Sequence, residues 1–573
     1  MASSRSPSIK KGSRQDRKVS ERAVGTLGAA PSRRARFSDI FLPQTRQGRL
    51  WLLGILVLAF ALRAYELLSL LPVQLDEAIY LRWAEIIDHQ GQWFISLLDG
   101  KEPLTYWILA LLRKAVGGDP LLEARAVSVA AGVLSALGVF AVGRRAGGDL
   151  TGLLASGLYA CLPYALVYDR LAYTEAVANC FGIAIVLTSL VAFDGERGEG
   201  PPDSRRGLGP GLALGLGLFT KQTLFLLAFF PALAALRWGW KDKRRVAADL
   251  AWVYGIAALF VAFSLVMRPE APTLESHNAL VHSTRFFVQP QELLSDPFKV
   301  APSNLRKLGG FISAYVTWPA AFGALVSLAY LAWRRARGVW IPAAASLAPL
   351  AVQVFVLELM YPSRYPFPHF WPLLVLAGWA VADAANRYGG SLQGALRPAA
   401  AAVLSLVLAG PVVYRSVGIL RTPGEYLYAE DAKNFLGGGA HAGFGVREAA
   451  SYLLEESRQG AFVLLTDPIW GPPADALFAY LNERRGIRVY EAWWTQLSGG
   501  HVILPPGQAQ VLKSHYERVE AGTVDFSNIS RVFYVTDTNF YPRAAVQVRQ
   551  PGAQLVASFP KTGGQSLDVY RLR

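Results

Sequence analysis

Cysteine is almost absent from this chain. Only Cys161 and Cys180 occur in 573 residues, and both fall inside apolar segments. Two such residues build neither a disulfide framework nor a metal cluster, so they read as packing residues. Charge is also scarce. Charged residues make up 17% of the chain against 52% hydrophobic ones, where a soluble globular protein carries about 25% charged residues. That shortage excludes an ordinary soluble protein. A phosphate-binding glycine loop is missing too: Gly437-Gly438-Gly439 follows no strand, and no lysine stands in place behind it. The first apolar run starts only near Leu50, with no small-residue cleavage site soon after it, which argues against a cleaved signal peptide.

Repeated apolar runs of roughly 20 residues are there instead, the mark of a polytopic membrane protein. Eleven spans are read, near 51–70, 123–143, 151–168, 171–193, 208–220, 222–240, 249–267, 311–333, 339–360, 366–382 and 399–419. Net charge is +15, and the first fifty residues alone carry twelve Lys/Arg against three Asp/Glu. Residues 1–49 therefore read as a disordered basic cytoplasmic tail. Further basic clusters, Arg144-Arg145, Arg205-Arg206, Lys241 to Arg245, Arg334 to Arg337 and Arg387/Arg397, fall on alternate loops. They share a side with the tail, which fixes that side as cytoplasmic. Loops 72–122 and 268–310 and everything after about 420 are then external. Residues 50–425 form the expected transmembrane domain. Residues 430–573 alternate helical and strand patterns: VREAASYLLEES and ADALFAYLNERRG as helices, AFVLLTD, IRVYEAW, RVFYVTD, QLVASFP and SLDVYRL as strands. They predict an external soluble α/β domain.

Charges inside or beside apolar segments are the informative residues, because a charge at the centre of a span costs about 2.5–3.5 kcal/mol on insertion scales. Asp76 and Glu77 follow the first span, in LPVQLDEAIYLRWAEII. Tyr80, Trp83, Ile86 and Ile87 share one face of the stretch after them, which reads as a helix lying in the membrane interface. Lys101, Glu102, Tyr106 and Trp107 follow on the same external loop. Arg170 sits at an external turn, and Glu175 lies about one turn inside the next span, where it needs a partner such as Arg170 or Lys221. Lys221 interrupts LALGLGLFTKQTLFLLAFF; its plainer reading is a lysine reaching to the interface. Arg285 and Arg364 add cations on the external side. Arg63 and Glu66, at i and i+3 in the first span, are read as an ion pair. Glu275, His277 and His282 lack the spacing of a helix-borne metal pair. Converging cations suit a phosphate, and an adjacent carboxylate suits proton abstraction from a hydroxyl. At a membrane surface that phosphate belongs to a lipid. Three readings follow: a transferase, a transporter or flippase of a lipid-linked saccharide, and a non-enzymatic scaffold. A transporter predicts internal repeats or helices broken at mid-membrane, which the sequence does not display. A scaffold would tolerate loss of Asp76.

Five motifs, in order along residues 50–385, resemble those of integral-membrane glycosyltransferases with the type C fold. The relatives in view are the dolichyl-phosphate-mannose protein mannosyltransferases and the bacterial aminoarabinose–lipid A transferases. The motifs are Asp76-Glu77 with Tyr80; DGKEPLTYW against KPPLxYW; Arg170 with Glu175; GLALGLGLFTKQT against GxxxGLxxLTKG; and SRYPFPHFWPLL against RYxLPxxPxL. The chain departs from the pattern at Glu102, where many relatives have Pro, and at Gln222, where they have Gly. Its terminal domain is also not a β-trefoil, which points toward the bacterial branch.

The resemblance implies an inverting transfer of a sugar from a polyprenyl-phosphate donor to an acceptor at the outer face of the plasma membrane. Asp76 would be the general base. Lys221, Arg364 and Arg285 would hold the donor phosphate. Glu77, Tyr80, Lys101, Tyr106, Arg170 and Glu175 would support or orient the groups. No cofactor or nucleic acid is expected, and a divalent metal finds no supporting ligand set. The sugar, the acceptor and the polyprenol stay open.

Overall fold

A computed structural model describes residues 40–572 apart from 194–205, 240–242, 269–286, 337, 359, 361–362, 389–395, 440, 493–496, 499–500, 503–509, 515 and 521–528. Arg285, Glu275, His277, His282 and nearly all of the basic tail lie outside the described residues.

Helix α1 (Arg46–Ala64) starts where the Thr45 hydroxyl accepts from the Gly48 N–H at 3.0 Å. Its last turn is fixed by a buried ion pair from Arg63 to Asp169 at 3.0 Å. This corrects the expected Arg63–Glu66 pair. The helix ends at Ala64 and Glu66 takes φ 44°, so Glu66 leaves the helical phase that would bring it beside Arg63. A β-carbon on Gly132 would come within 2.7 Å of both Arg63 and Asp169, so the pair needs that glycine.

Strand β1 (Val73–Gln74) leads into α2 (Leu75–Gln90), and α3 (Leu104–Val116) follows the loop between them. Helix α4 (Pro120–Gly147) is capped by the Asp119 carboxylate, which accepts from the Leu121 and Leu122 N–H groups at 2.9 and 3.1 Å. It packs on α5 (Asp149–Ala160), and Gly143 meets Gly152 so closely that a β-carbon would lie 3.0 Å from its Cα. Then come α6 (Thr174–Phe193), α7 (Leu208–Leu218) and α8 (Lys243–Val266). After them lie α9 (Ala301–Phe311), α10 (Trp318–Trp333), α11 (Trp340–Val356), α12 (Trp371–Tyr388) and α13 (Leu396–Arg421).

Among the described residues α1, α4, α6 and α8 are long and apolar enough to cross a membrane. Residues Ala301–Val316 with α10 make a fifth if counted as one span, bent by 104° at Thr317. Two other apolar segments are broken into shorter pieces. The stretch at 151–168 divides at Leu162-Pro163, and that at 208–240 divides at Lys221, where a 3₁₀ turn (Gln222–Leu227) intervenes. Proline cannot donate its backbone hydrogen, which accounts for the first break.

The seven segments of the C-terminal region read as helix or strand each contain the element expected. Helices α14 (Ala429–Leu436), α15 (Val446–Glu456) and α16 (Ala474–Leu481) accompany β2 (Ala442–Gly443), β3 (Phe462–Thr466), β4 (Ile487–Glu491), β5 (Gln510–Ser514), β6 (Glu517–Glu520), β7 (Val532–Asp537), β8 (Gln554–Pro560) and β9 (Ser566–Arg571). Five strands form one mixed sheet in the order β8-β9-β7-β3-β4, with β3 parallel to both β4 and β7. The central strands β3 and β7 are buried along their whole length, which explains their unbroken apolar runs. A two-residue pairing of β1 with β2 ties this region to the start of α2.

Helix α2 has no solvated face of the kind its amphipathic pattern suggested. Residues Glu77 through Ile87 are all buried. Helix α16 and the β5–β6 hairpin cover the face that would have been solvated: Arg82 pairs with Glu85 and Glu517, and its guanidinium lies 4.1 Å from the Phe478 ring.

Candidate active site

The first turn of α2 sets the site. Gln74 and Glu77 form a capping box, with the Glu77 carboxylate accepting from the Gln74 N–H at 2.9 Å. Asp76 therefore projects from a fixed helix start, and Tyr80 stands one turn further on. The Ile95–Asp99 turn ends at Gly100 with φ 65°, which directs Lys101 back toward α2. The Leu104 N–H donates to the Phe219 carbonyl at 3.1 Å, so loop 101–103 is held against the end of α7. Lys221 occupies the extended residue between α7 and the 3₁₀ turn. Arg364 lies in the turn between α11 and α12, and Glu175 in the first turn of α6.

These elements bring five charged pairs together. Arg364 pairs with Asp76, and its Nε lies 3.4 Å from Glu175. Lys221 pairs with Glu175. Lys101 sits 3.7 Å from Asp76 and 2.9 Å from Asp99. Aromatic faces enclose the cations: the Lys101 ammonium lies 5.1 Å from the Tyr80 ring and 5.3 Å from Trp83, Lys221 lies 5.4 Å from Tyr365, and Arg364 lies 5.3 Å from Tyr173. Burial alone would push the Asp76 carboxyl up. The charges of Arg364 and Lys101, with the Arg364 hydrogen bond, outweigh it and hold Asp76 well below the usual carboxylate range. Burial would likewise lower Lys101, but Asp76 and Asp99 outweigh it and raise the ammonium above the ordinary lysine value.

A cavity of about 390 Å³ opens on this cluster. Tyr80, Lys101, Tyr106, Glu175, Lys221 and Arg364 line one side; Phe225, Leu226, Phe287 and Leu357 make an apolar wall. Asp76 stands directly behind Arg364, its side chain 14% exposed. The arrangement can neutralise an anion, seat an apolar chain beside it, and present an ionised carboxylate.

Three expected site residues do not line the cavity: Asp76, which pairs with Arg364 behind its wall, and Glu77 and Arg170. Glu77 is fully buried and accepts from Arg125 at 2.7 and 2.8 Å and from the Ala172 N–H at 2.7 Å. It anchors α2 rather than facing a ligand. Arg170 donates to the carbonyls of Leu62, Tyr65 and Glu66, closing the C-terminal end of α1. It is not the partner of Glu175; Lys221 is. Cavity residues that the sequence did not single out include Asp99, Gln353 and Tyr365. Gln353, a lone amide in the apolar run APLAVQVFV, was the readable signal. Among the described residues, no group of three or more His, Cys, Asp or Glu is arranged to hold a metal ion.

Comparison with known proteins adds a family pattern and a fold. Residues 100–267 match the family model for dolichyl-phosphate-mannose-protein mannosyltransferase. ArnT from Cupriavidus metallidurans, in its structure bound to undecaprenyl phosphate, superposes with a TM-score of 0.58 at 15% identity, over 92% of this chain and 99% of that one. Its apo structure gives 0.56 at 15%, over 91% and 97%. The archaeal oligosaccharyltransferase AglB from Archaeoglobus fulgidus, in complex with an inhibitory peptide and a dolichol-phosphate, gives 0.47 at 12% identity and 76% of this chain. The chain spans 64% of the length of that oligosaccharyltransferase. A sequence search of curated proteins finds no match.

Proposed function

We propose that this chain, which has the type C glycosyltransferase fold, moves a sugar from a polyprenyl-phosphate donor to an acceptor at the outer face of the membrane. One observation carries the reading. Lys101, Lys221 and Arg364 meet around a cavity with an apolar wall, and Asp76 lies against two of those cations. The cations match the donor phosphate, and the wall of Phe225, Leu226, Phe287 and Leu357 matches the first units of its prenyl chain.

The chemistry follows from these positions. Each cation already has a carboxylate partner, so an arriving phosphate shares cations with Asp76, Asp99 and Glu175 rather than filling an open charge deficit. As Arg364 turns toward the phosphate, Asp76 loses its strongest restraint. Its proton affinity rises at the moment the donor is in place. Asp76 then takes the proton from the acceptor's nucleophile as that atom attacks the anomeric carbon from the face opposite the phosphate. The carbon–oxygen bond to the phosphate breaks, and configuration inverts. The leaving polyprenyl phosphate keeps the electron pair, stabilised by Lys221 and Arg364, which already face it once the donor is bound.

The test is transfer of labelled sugar from polyprenyl-phosphate donors to cell-envelope acceptors by the intact chain and by Asp76→Asn. A general base contributes roughly 10²–10⁴-fold, so the variant should fall by that factor while inserting and melting normally. Transfer at the parent rate would refute the assignment.

A further inference from the structure

Glu102 and Gln222 are the two positions where the sequence departs from the motif pattern, and the structure joins them. The Gln222 amide donates to one Glu102 carboxylate oxygen at 2.9 Å. The Ser264 hydroxyl of α8 donates to the other at 2.5 Å. Both Glu102 and Gln222 line the cavity, and Glu102 is only 8% exposed. Among the described residues no cation lies within ion-pairing distance of Glu102, unlike Asp76, Asp99 and Glu175. A buried carboxylate held by two neutral donors keeps lone-pair capacity for a third.

A second observation comes from another element. Gln353 of α11 lines the same cavity, is 2% exposed, and its side-chain oxygen accepts no hydrogen bond among the described residues. Its amide nitrogen is spent on the Tyr365 carbonyl at 3.3 Å, which fixes the side chain. A buried acceptor without a donor costs free energy that a bound ligand recovers. The three side chains also share a placement. Glu102 follows Lys101, Gln222 follows Lys221, and Gln353 holds the carbonyl of the residue after Arg364. Glu102 and Gln222 thus stand one residue from a cation of the proposed phosphate site, and Gln353 is bonded to the neighbour of the third.

We infer that Glu102, Gln222 and Gln353 form the subsite that reads the hydroxyl groups of the transferred sugar, seated beside the phosphate. This rests on the donor reading above. Neutral acceptors and an unpaired carboxylate fit ligand O–H donors, and adjacency to the cations fits a group joined to phosphorus through one bridging oxygen. These are specificity-determining residues; the bond changes stay with Asp76.

Binding to the purified full chain tests this with defined lipids: undecaprenyl phosphate itself and undecaprenyl-phosphoryl mannose, glucose and arabinose. The parent should bind at least one sugar-bearing lipid about tenfold more tightly than the bare phosphate. Glu102→Ala and Gln222→Ala should each erase most of that gain and leave the bare phosphate within twofold. Glu102→Gln, which keeps the shape and the Ser264 contact, should reorder the preference among the three sugars. The inference is overturned if no sugar improves on the bare lipid. It is also overturned if the variants weaken bare and sugar-bearing lipids alike, or leave every preference intact. Lys221→Ala separates the two readings: if it binds bare undecaprenyl phosphate as the parent does, the phosphate site itself has been misplaced.

Discussion

Asp76 carries the account at the scale of single residues. Two cations hold it ionised, and one of them, Lys101, is itself held by Asp99 and by the faces of Tyr80 and Trp83. A base so restrained acts only when its restraint is shared with a substrate. Lys101 lowers the Asp76 pKa, so Lys101→Met should raise it. The acid limb of kcat/KM, where Asp76 must be ionised, should therefore move to higher pH in that variant. A pH profile of the two proteins checks this; an unmoved or lower limb would exclude Asp76 as the titrating base. The charged cluster was legible in the sequence because charge in apolar surroundings needs a reason. Residue pattern alone did not separate Asp76 from Glu77; only the family resemblance assigned the base to Asp76. Neighbours on a helix point about 100° apart, and only the position of Arg125 shows which one turns inward. Arg170 was misread because the carbonyls it satisfies belong to α1, far away in sequence.

The elements around α2 explain why this start of a helix is rigid. Helix α16 is stitched to it and to the head of α4. Asn482 donates to Glu85 at 2.9 Å, Tyr480 to Asp119 at 3.0 Å, and Arg113 to the Ala479 carbonyl at 2.7 Å. The covering of α2 was not legible in its own pattern, because its polar face is buried by residues some 400 positions later. Helix α14 supports Arg364 in a similar way. Asp431 accepts from the hydroxyls of Tyr315 and of Ser363, the residue before Arg364. Burial pushes the Asp431 carboxyl up to about 6, against the opposing effect of those hydroxyls. An acid whose folded pKa lies above its unfolded value of 3.8 favours the fold fully below that value. The contribution is lost as pH rises through about 6. At 1.36 kcal/mol per unit, the loss is on the order of 3 kcal/mol. Thermal unfolding from pH 4 to pH 8 should show the parent's Tm falling over that window relative to Asp431→Asn, which does not titrate. Parallel curves would remove Asp431 from the account.

The whole molecule sets helices long and apolar enough to cross a membrane beside a mixed sheet, with the cavity among the helices and their loops. Apolar segments were readable as segments because length and composition decide them. Their breaks at Pro163 and Lys221, and the bend at Thr317, depend on packing that no single window of sequence contains. The site lies at such breaks. Residues 101–103, 221 and 364 are irregular backbone that lines a cavity, the setting in which membrane proteins tolerate it.

The central claim is that Asp76 and the donor phosphate compete for Arg364 and Lys101. The most direct measurement is the affinity of Asp76→Asn for undecaprenyl phosphate, taken beside its transfer rate. Removing the carboxylate takes one partner from each of the two cations, so the account predicts tighter lipid binding, by about tenfold for 1.4 kcal/mol of released attraction, together with loss of transfer. Weaker or unchanged binding of the lipid phosphate by Asp76→Asn would contradict it.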